Sequence, residues 1–471
     1  MAVFSIVKLS ELEGAKRMDA EYYKPELRFI TEILKKREII EIGKVADVVD
    51  GPFGSSLHAE NYVEKGIPFL RVHNVTKEGL LNLYDLVFIC EEDHERLKSS
   101  EALPGDVIIT KTGWVGFATV ITDDIKKCNY RADLAKIRLR ATSRLDPYFV
   151  SMFLNSKYGR LQTKRLMSGA RGDRILAINI KKIVIPYLKD KFQKEVRHIY
   201  TLAIEQYKTS ITLYSQAENL LLEELGLKDF KPKYEKTYTA KLSDEFSAHR
   251  IDAEYFQPAY EEVIEKLREN NIELQPLRKF ILSIQKGIEP GSENYRDEGK
   301  PFIRVSNLSK YGFTDRDQKY LSEELYQQLR ETYEPKQGDF LLTKDATPGI
   351  AYVVKEQIEG IISSGILRLQ INDSEINKEY LALCINSIVG KMQVERDCGG
   401  SVILHWKPEQ VKRLQIPILP LETQQEIASL VQQSHEARKK AKELLEIAKR
   451  AVEIAIENSE AEALDYISKH A

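Results

Sequence analysis

Fifteen lysines and arginines fall between Lys126 and Lys182 against three aspartates, so that window carries +12 in a chain whose net charge is −2. Such a density is either the footprint of phosphate binding or a solvated basic surface, and charge alone weights the two equally. Lys157, Arg160 and Lys164 follow at steps of three and four inside a helical stretch that Asp146 can cap, Pro147 can open and Gly169 can end. They share one helix face, which is a phosphate-facing edge or a solvated one. The other residue types that carry chemistry are scattered. The eight histidines show no HExxH and no paired ligand spacing. Cys90, Cys128, Cys384 and Cys398 lack CxxC spacing and fit ordinary buried thiols in a reduced cytoplasm. No Asn-Pro-Pro-Tyr or Asp-Pro-Pro-Tyr of an amino-methyltransferase is present, and no GxGxxG or Gly-x-Ser-x-Gly. Gly299-Lys300 runs into Pro301 where a phosphate-binding loop needs Ser or Thr. These absences favour a binding protein over an enzyme, and no metal site is expected.

The elements that must position any binding residues come in duplicate. Arg17-Met18-Asp19-Ala20-Glu21-Tyr22 returns as Arg250-Ile251-Asp252-Ala253-Glu254-Tyr255. Gly66-x-Pro68-Phe69-x-Arg71-Val72-x-Asn74 returns as Gly299-x-Pro301-Phe302-x-Arg304-Val305-x-Asn307, and Thr110-Lys111 and Gly116 as Thr343-Lys344 and Gly349. All keep one offset of 233 residues, which slips to 231 at Asn155/Asn386, Gly159/Gly390, Gln162/Gln393 and Gln193/Gln424. Solenoid repeats are far shorter, so the unit is a whole domain plus a helix. Each head alternates short β-rich runs with Gly-containing turns. After Pro186 and Pro417 come long helical patterns with a/d seams. The first runs through Val196, Ile199, Ala203, Gln206, Ser210, Leu213, Ala217 and Leu220; the second through Ile427, Leu430, Ser434, Ala437, Ala441, Leu444, Ala448, Ala451 and Ala455. A seam of roughly 35 residues makes a rod of roughly 50 Å. The pairing of the two helices is weighed against each helix packing on its own head, and in-phase seams favour pairing.

The expected fold is α+β: two tandem α/β heads related by internal duplication, separated by two long helices in an antiparallel coiled coil. The boundaries read as a first head over 1–185, a central helix over 186–227, a linker over 228–245, a second head over 246–416 and a C-terminal helix over 417–471. No 18-residue apolar run or signal-like N-terminus is present, so a cytoplasmic protein without a membrane span is expected.

Two heads, each followed by a helix, resemble the specificity (S) subunit of Type I restriction–modification systems. The resemblance rests on the Asp-Ala-Glu-Tyr blocks at 19–22 and 252–255, on Gly-Pro-Phe-Gly-Ser-Ser at 51–56, and on the Gly-x-Pro-Phe-x-Arg-Val-x-Asn and Gly-Asp-x-x-x-Thr-Lys blocks. It also rests on the segment Ile416-Pro417-Ile418-Leu419-Pro420-Leu421-Glu422-Thr423-Gln424-Gln425-Glu426-Ile427-Ala428. It implies that each head is a target recognition domain for double-stranded DNA, and that the helices act as a spacer and dock two modification (methyltransferase) subunits, which restriction subunits then join. S-adenosylmethionine, ATP and Mg²⁺ belong to those partners, with no cofactor in this chain.

On that reading the polar loops are the candidate readers, because Arg matches guanine and Asn matches adenine with paired bonds. In the first head they are Ser55, Ser56, His58, Asn61 and Tyr62; Lys111, Thr112 and Trp114; and Arg171 with Arg174. In the second they are Lys286, Ser292, Asn294 and Tyr295; Lys344, Asp345 and Thr347; and Ser401, His405 and Trp406. The repeated pairs Arg71/Arg304, Asn74/Asn307 and Lys111/Lys344 touch phosphate or hold the fold. Arg160, Lys164 and Arg165 are candidate phosphate contacts. The rivals are an enzyme such as a methylase or nuclease fused to a recognition region, a scaffold binding protein or RNA, and a recognition subunit of another DNA defence system.

Overall fold

The computed structural model describes residues 4–15, 17–52, 57–83, 86–167, 174–243, 248, 250–399 and 404–471. They form two compact units, residues 1–208 with 438–471 and residues 209–437.

The first head contains strands β1 (Ala46–Asp50), β2 (Ile67–Leu70), β3 (Val87–Ile89), β4 (Val107–Thr110), β5 (Ala118–Val120), β6 (Asn129–Tyr130) and β7 (Leu134–Leu139). An antiparallel sheet runs β1-β7-β4-β5, and a second runs β3-β2-β6 with β2 and β6 parallel. Val107, Ile108 and Ile109 of β4 are fully buried, as a short continuous apolar run predicts. Helices α1 (Pro147–Asn155) and α2 (Lys157–Leu166) come next. Asp146 caps α1, accepting from the Tyr148 and Phe149 amides at 2.8 and 3.4 Å.

The expected single helix beginning at Asp146 is therefore two. Ser156 is extended between them, and Gly169 lies outside the described residues. The break arises from packing. A Cβ on Gly159 would sit 2.3 Å from the Phe153 carbonyl oxygen, so α2 backs onto the end of α1 at a distance only glycine permits. Asn155 turns toward the sheet, accepting from Ala118 N at 2.9 Å and donating to Ala118 O at 2.7 Å.

Helix α3 (Asp190–Glu224) leads on, and residues 230–241 carry no helix or strand. This linker lies against the second head: Glu235 and Gln257 exchange two hydrogen bonds of 3.0 Å. The second head repeats the first with β8 (Ile281–Lys286), β9 (Lys300–Ile303), β10 (Lys319–Leu321), β11 (Phe340–Thr343), β12 (Ala351–Val353), β13 (Ile361–Ile362) and β14 (Ile366–Ile371). Its sheets run β8-β14-β11-β12 and β10-β9-β13, in the same order and sense. Helices α4 (Lys378–Asn386) and α5 (Ile388–Asp397) repeat the broken pair, with Asn386 bonded to Ala351 N and O as Asn155 is to Ala118.

The C-terminal helix expected over 417–471 is α6 (Leu421–Glu457) and then α7 (Glu460–His470). It stops because Ser459 is extended and its hydroxyl caps α7 at the Glu462 amide. In the first unit Arg438 of α6 lies 4.8 Å over the Tyr207 ring of α3. In the second, the Ser434 hydroxyl donates to Ser210 O at 2.5 Å. Within the first unit Lys189 N, at the start of α3, meets Glu460 at 3.2 Å, so with Tyr207 against Arg438 the two segments run antiparallel there, as expected.

The seam on α3 differs from the expected one. Val196, Ala203, Ser210 and Ala217 are buried, but alternating with them are Tyr200, Tyr207, Tyr214 and Leu221. Ile199 is buried too, whereas Leu213 and Leu220 are half-buried. The tyrosines win because their hydroxyls have partners: Tyr200 donates to Gly79 O at 2.6 Å. On α6 the expected Ile427, Ala441, Leu444 and Ala448 are buried and Leu430 is half-buried. Each unit thus takes part of both helices, where the sequence boundaries set helices apart from heads. Repeated glutamines make the joint. Gln193 accepts from Asp146 N at 2.8 Å and donates to Leu188 O at 2.8 Å; Gln424 does the same at Asn377 N and Leu419 O, at 3.2 and 2.9 Å.

Candidate nucleic-acid interface

The repeated threonine at the end of β4 and β11 closes the same small loop in both heads. Thr110 Oγ1 donates to Trp114 O at 2.6 Å and accepts from Phe117 N at 2.9 Å. Thr343 Oγ1 does so with Thr347 O and Ile350 N, also at 2.6 and 2.9 Å. Gly116 and Gly349 complete the turns at φ +84° and +88°, a conformation that favours glycine. At the loop tips Gly113 has φ +71° and its counterpart Ala346 φ +60°. A side chain held left-handed costs of order 1 kcal/mol, and the Ala346 amide offsets it by bonding Leu404 O at 2.9 Å.

Other segments converge on that loop. In the first head Lys111 N donates to Asp133 O at 2.7 Å, Ala132 N to Pro52 O at 3.0 Å, and Ile175 N to Lys111 O at 3.0 Å. Thr112 and Arg174 face each other as an antiparallel bridge. In the second head Lys344 N donates to Gly365 O and Trp406 N to Lys344 O, both at 2.8 Å, while Asp345 and His405 make the bridge. Arg174 and His405 therefore occupy the same position in two equivalent frames, and both are exposed.

The frames carry different chemistry. Beside Arg174, Thr112 donates its hydroxyl to Asp133 at 3.0 Å. Beside His405, Asp345 accepts from His405 Nδ1 at 2.8 Å and pairs with the Lys344 ammonium at 2.5 Å. Burial pushes the Asp345 carboxyl up, but the hydrogen bonds from Lys344 and His405 outweigh it and hold the group below its ordinary value. His58, Asn61, Lys286, Ser292 and Thr347 are also exposed. Ser55, Ser56, Arg171 and Ser401 lie outside the described residues.

Several candidates are structural instead. Asn74 and Asn307 are buried and spend their amides on the chain: Asn74 accepts from Arg71 N at 2.8 Å and donates to Asn82 O at 3.0 Å, and Asn307 donates to Arg316 O at 2.6 Å. Arg71 and Arg304 are half-buried at the start of those turns, and Arg304 donates to Asp317 O. Lys111 is buried against Asp50 at 2.6 Å and Ala132 O at 3.1 Å. Trp406 lies in the core, and Trp114 donates to Val75 O at 2.9 Å. Tyr62 and Tyr295 pack on Phe69 and Phe302 at 5.9 and 5.4 Å between ring centres. Asn294 donates to Pro290 O at 2.5 Å.

On the basic helix face Lys157 is exposed, whereas Arg160 is engaged by the head itself. Arg160 lies 3.6 Å over the Phe117 ring, donates to Val115 O at 2.5 Å, and is pushed down to about 10 by burial. Arg165 stacks on Tyr22 and donates to Tyr22 O at 3.1 Å; Lys164 is exposed.

Residues 280–448, which hold β8 to β14 and most of α6, match the Type I restriction modification DNA specificity domain. The second head is thus similar to a Type I DNA specificity domain. No curated protein sequence matches the chain. Among solved structures, the chain is similar to the S subunit of a Type I restriction–modification system from M. genitalium, at 13% identity and TM-score 0.39 over 89% of this chain and 95% of that one. It is also similar to the HsdS subunit from Thermoanaerobacter tengcongensis, at 13% identity and TM-score 0.29 over 90% and 97%. At these TM-scores the likenesses carry no argument, and the assignment stands on the matched domain. The first head, outside the matched residues, shares the strand order, broken helix pair and threonine-closed loop of the second. The partners that hold the loops of both domains, among them Asp50 and Asp133, had no signal in sequence, because Lys111 meets Asp50 across 61 positions. Some of the fifteen basic residues in the window of the first head pair with acids elsewhere: Lys127 with Glu91 and Arg138 with Asp106 at 2.5 Å, Arg140 with Asp47 at 2.9 Å and Arg144 with Glu38 at 2.6 Å.

Proposed function

We propose that this chain is the DNA-recognition subunit of a Type I restriction–modification complex, each head reading one half of a bipartite, asymmetric site. The observation that carries the reading is one frame built twice, with Thr112 and Arg174 in the first head where the second has Asp345 and His405. A shared frame gives both heads the same approach to the duplex, and different side chains give different bases, since base-edge contacts specify while phosphate contacts position. The paired helices set the unread spacer and dock two modification subunits, which restriction subunits join. Methyl transfer and cleavage, with S-adenosylmethionine, ATP and Mg²⁺, belong to those partners, and the complex works on cytoplasmic DNA. Among the described residues no helix is long and apolar enough to cross a membrane.

Co-expression with a candidate modification subunit, followed by mapping of N6-methyladenine in the host genome, tests the reading. The expected result is a two-part motif with an unread gap. A stable complex that leaves no methylation pattern would overturn it.

A further inference from the structure

The repeated Arg-x-Asp-x-x-Tyr block does the same thing in both heads. Arg17 forks onto both carboxylate oxygens of Asp19 at 2.7 Å, and Arg250 onto those of Asp252 at 2.8 and 2.6 Å. Each carboxylate fixes the plane of its guanidinium. The remaining donors reach the last carbonyls of a helix. Arg17 donates to Met167 O at 2.9 Å, just past α2. Arg250 donates to Arg396 O and Asp397 O at 3.3 and 3.0 Å, at the end of α5. A helix C-terminus leaves such carbonyls without partners and carries partial negative charge, so a fixed cation there satisfies both needs. A second arginine completes the device. Tyr22 lies between Arg17 and Arg165, at 4.8 and 4.3 Å, and Tyr255 between Arg250 and Arg396, at 4.6 and 5.0 Å.

Each clamped helix runs on into the segment that carries the candidate reader. Past α5, Gly399 and His405 exchange backbone hydrogen bonds of 3.3 and 2.9 Å, and His405 pairs onward with Asp345. In the first head Arg174, seven residues beyond Met167, stands opposite Thr112. One end of each reading segment is thus anchored by the closed loop and the other by the arginine clamp.

We propose that Arg17 and Arg250 are positioning residues for sequence choice: each fixes the C-terminus of one helix so that the bridge beyond it presents Arg174, or His405, at a set height beside the loop. The inference rests on the DNA-recognition reading for its consequence, but the clamp is testable without DNA. Lysine in place of arginine keeps the charge and loses the fork, so Arg250→Lys retains attraction to the carbonyls while releasing the plane that Asp252 sets. In hydrogen exchange on the full chain, Arg250→Lys should speed the amides of Gly399, His405 and Trp406 by about tenfold or more, the worth of one charged hydrogen bond, with β11 and β14 unchanged. Exchange equal to the parent protein in that segment overturns the clamp. In the methylation map, Arg250→Lys should relax the half-site read by the second head and leave the first half-site and the spacer intact, and Arg17→Lys should do the reverse. A half-site as strict as before, or both halves lost together at unchanged melting temperature, overturns the positioning role. A parent protein that yields no bipartite motif overturns the recognition reading instead, and the exchange result still decides the clamp.

Discussion

At the scale of single residues, the repeat sorts side chains by task. Those that return in both heads, such as Asn74/Asn307, Thr110/Thr343 and Gln162/Gln393, are spent on backbone partners. Exposed residues that do not return stand where the frame is shared, and Arg174 and His405 are the clearest pair. Arg174→Ala should relax one base position of the first half-site by about 1–3 kcal/mol, the worth of a bidentate base contact, without moving the second. Binding to a panel with each base in turn at every position checks this; an equal loss on all sequences would make Arg174 a phosphate contact. The types of residue in the loops were legible in sequence, but their direction was not. By type Trp406 suits a reader and Arg160 a phosphate contact, yet Trp406 is in the core and Arg160 lies over the Phe117 ring. The cysteines were legible. Cys128, Cys384 and Cys398 are buried, and burial pushes each thiol up to about 12. Since the thiolate is the reactive form, native alkylation should modify half-buried Cys90 alone and unfolding should release all four, counted by intact mass.

At the scale of elements, the helices within each head are fastened to its sheet by buried amides. Asn386 holds both Ala351 N and Ala351 O. Its replacement by Ala leaves that buried pair unmatched and should destabilise the second unit by about 1–3 kcal/mol. Thermal melting should show a fall of about 2–4 °C for each kcal/mol; an unchanged melting point would mean the fastener contributes nothing net. The same elements show where sequence periodicity runs out. The small positions of the α3 seam, Val196, Ala203 and Ala217, were found, yet the large ones were placed one residue early, at Leu213 for Tyr214 and Leu220 for Leu221. Both registers have heptad spacing. The choice was made by hydrogen-bond partners outside the helix, such as Gly79 O for Tyr200, which a helical pattern does not encode. The break at Ser156 was hidden for a similar reason, because Gly159 reads as a tolerated helical glycine until the neighbouring helix end is seen against it.

At the scale of the molecule, the offsets of 233 and 231 residues fixed the architecture before any contact was known, because two sequences that align so far must fold alike. Spacing alone did not reveal the division of labour within the helices. Each compact unit includes part of α3 and part of α6, so these helices belong to the heads as much as to the connection between them. If, as proposed, they set the unread gap, the gap can be lengthened by lengthening them. Seven residues inserted into α3 and seven into α6, in the stretches where the units divide, keep the heptad phase of both seams and add about 10 Å of helix. One turn of duplex, about ten base pairs, advances about 34 Å, so the added length corresponds to about three base pairs. The expected outcome is a methylation motif with both half-sites intact and an unread gap longer by about that much. Insertion in α3 alone breaks the match with its antiparallel partner, and modification should be lost rather than shifted. If the double insertion leaves the gap at its original length, the helices are not what sets it, and the spacing must be fixed by the modification subunits.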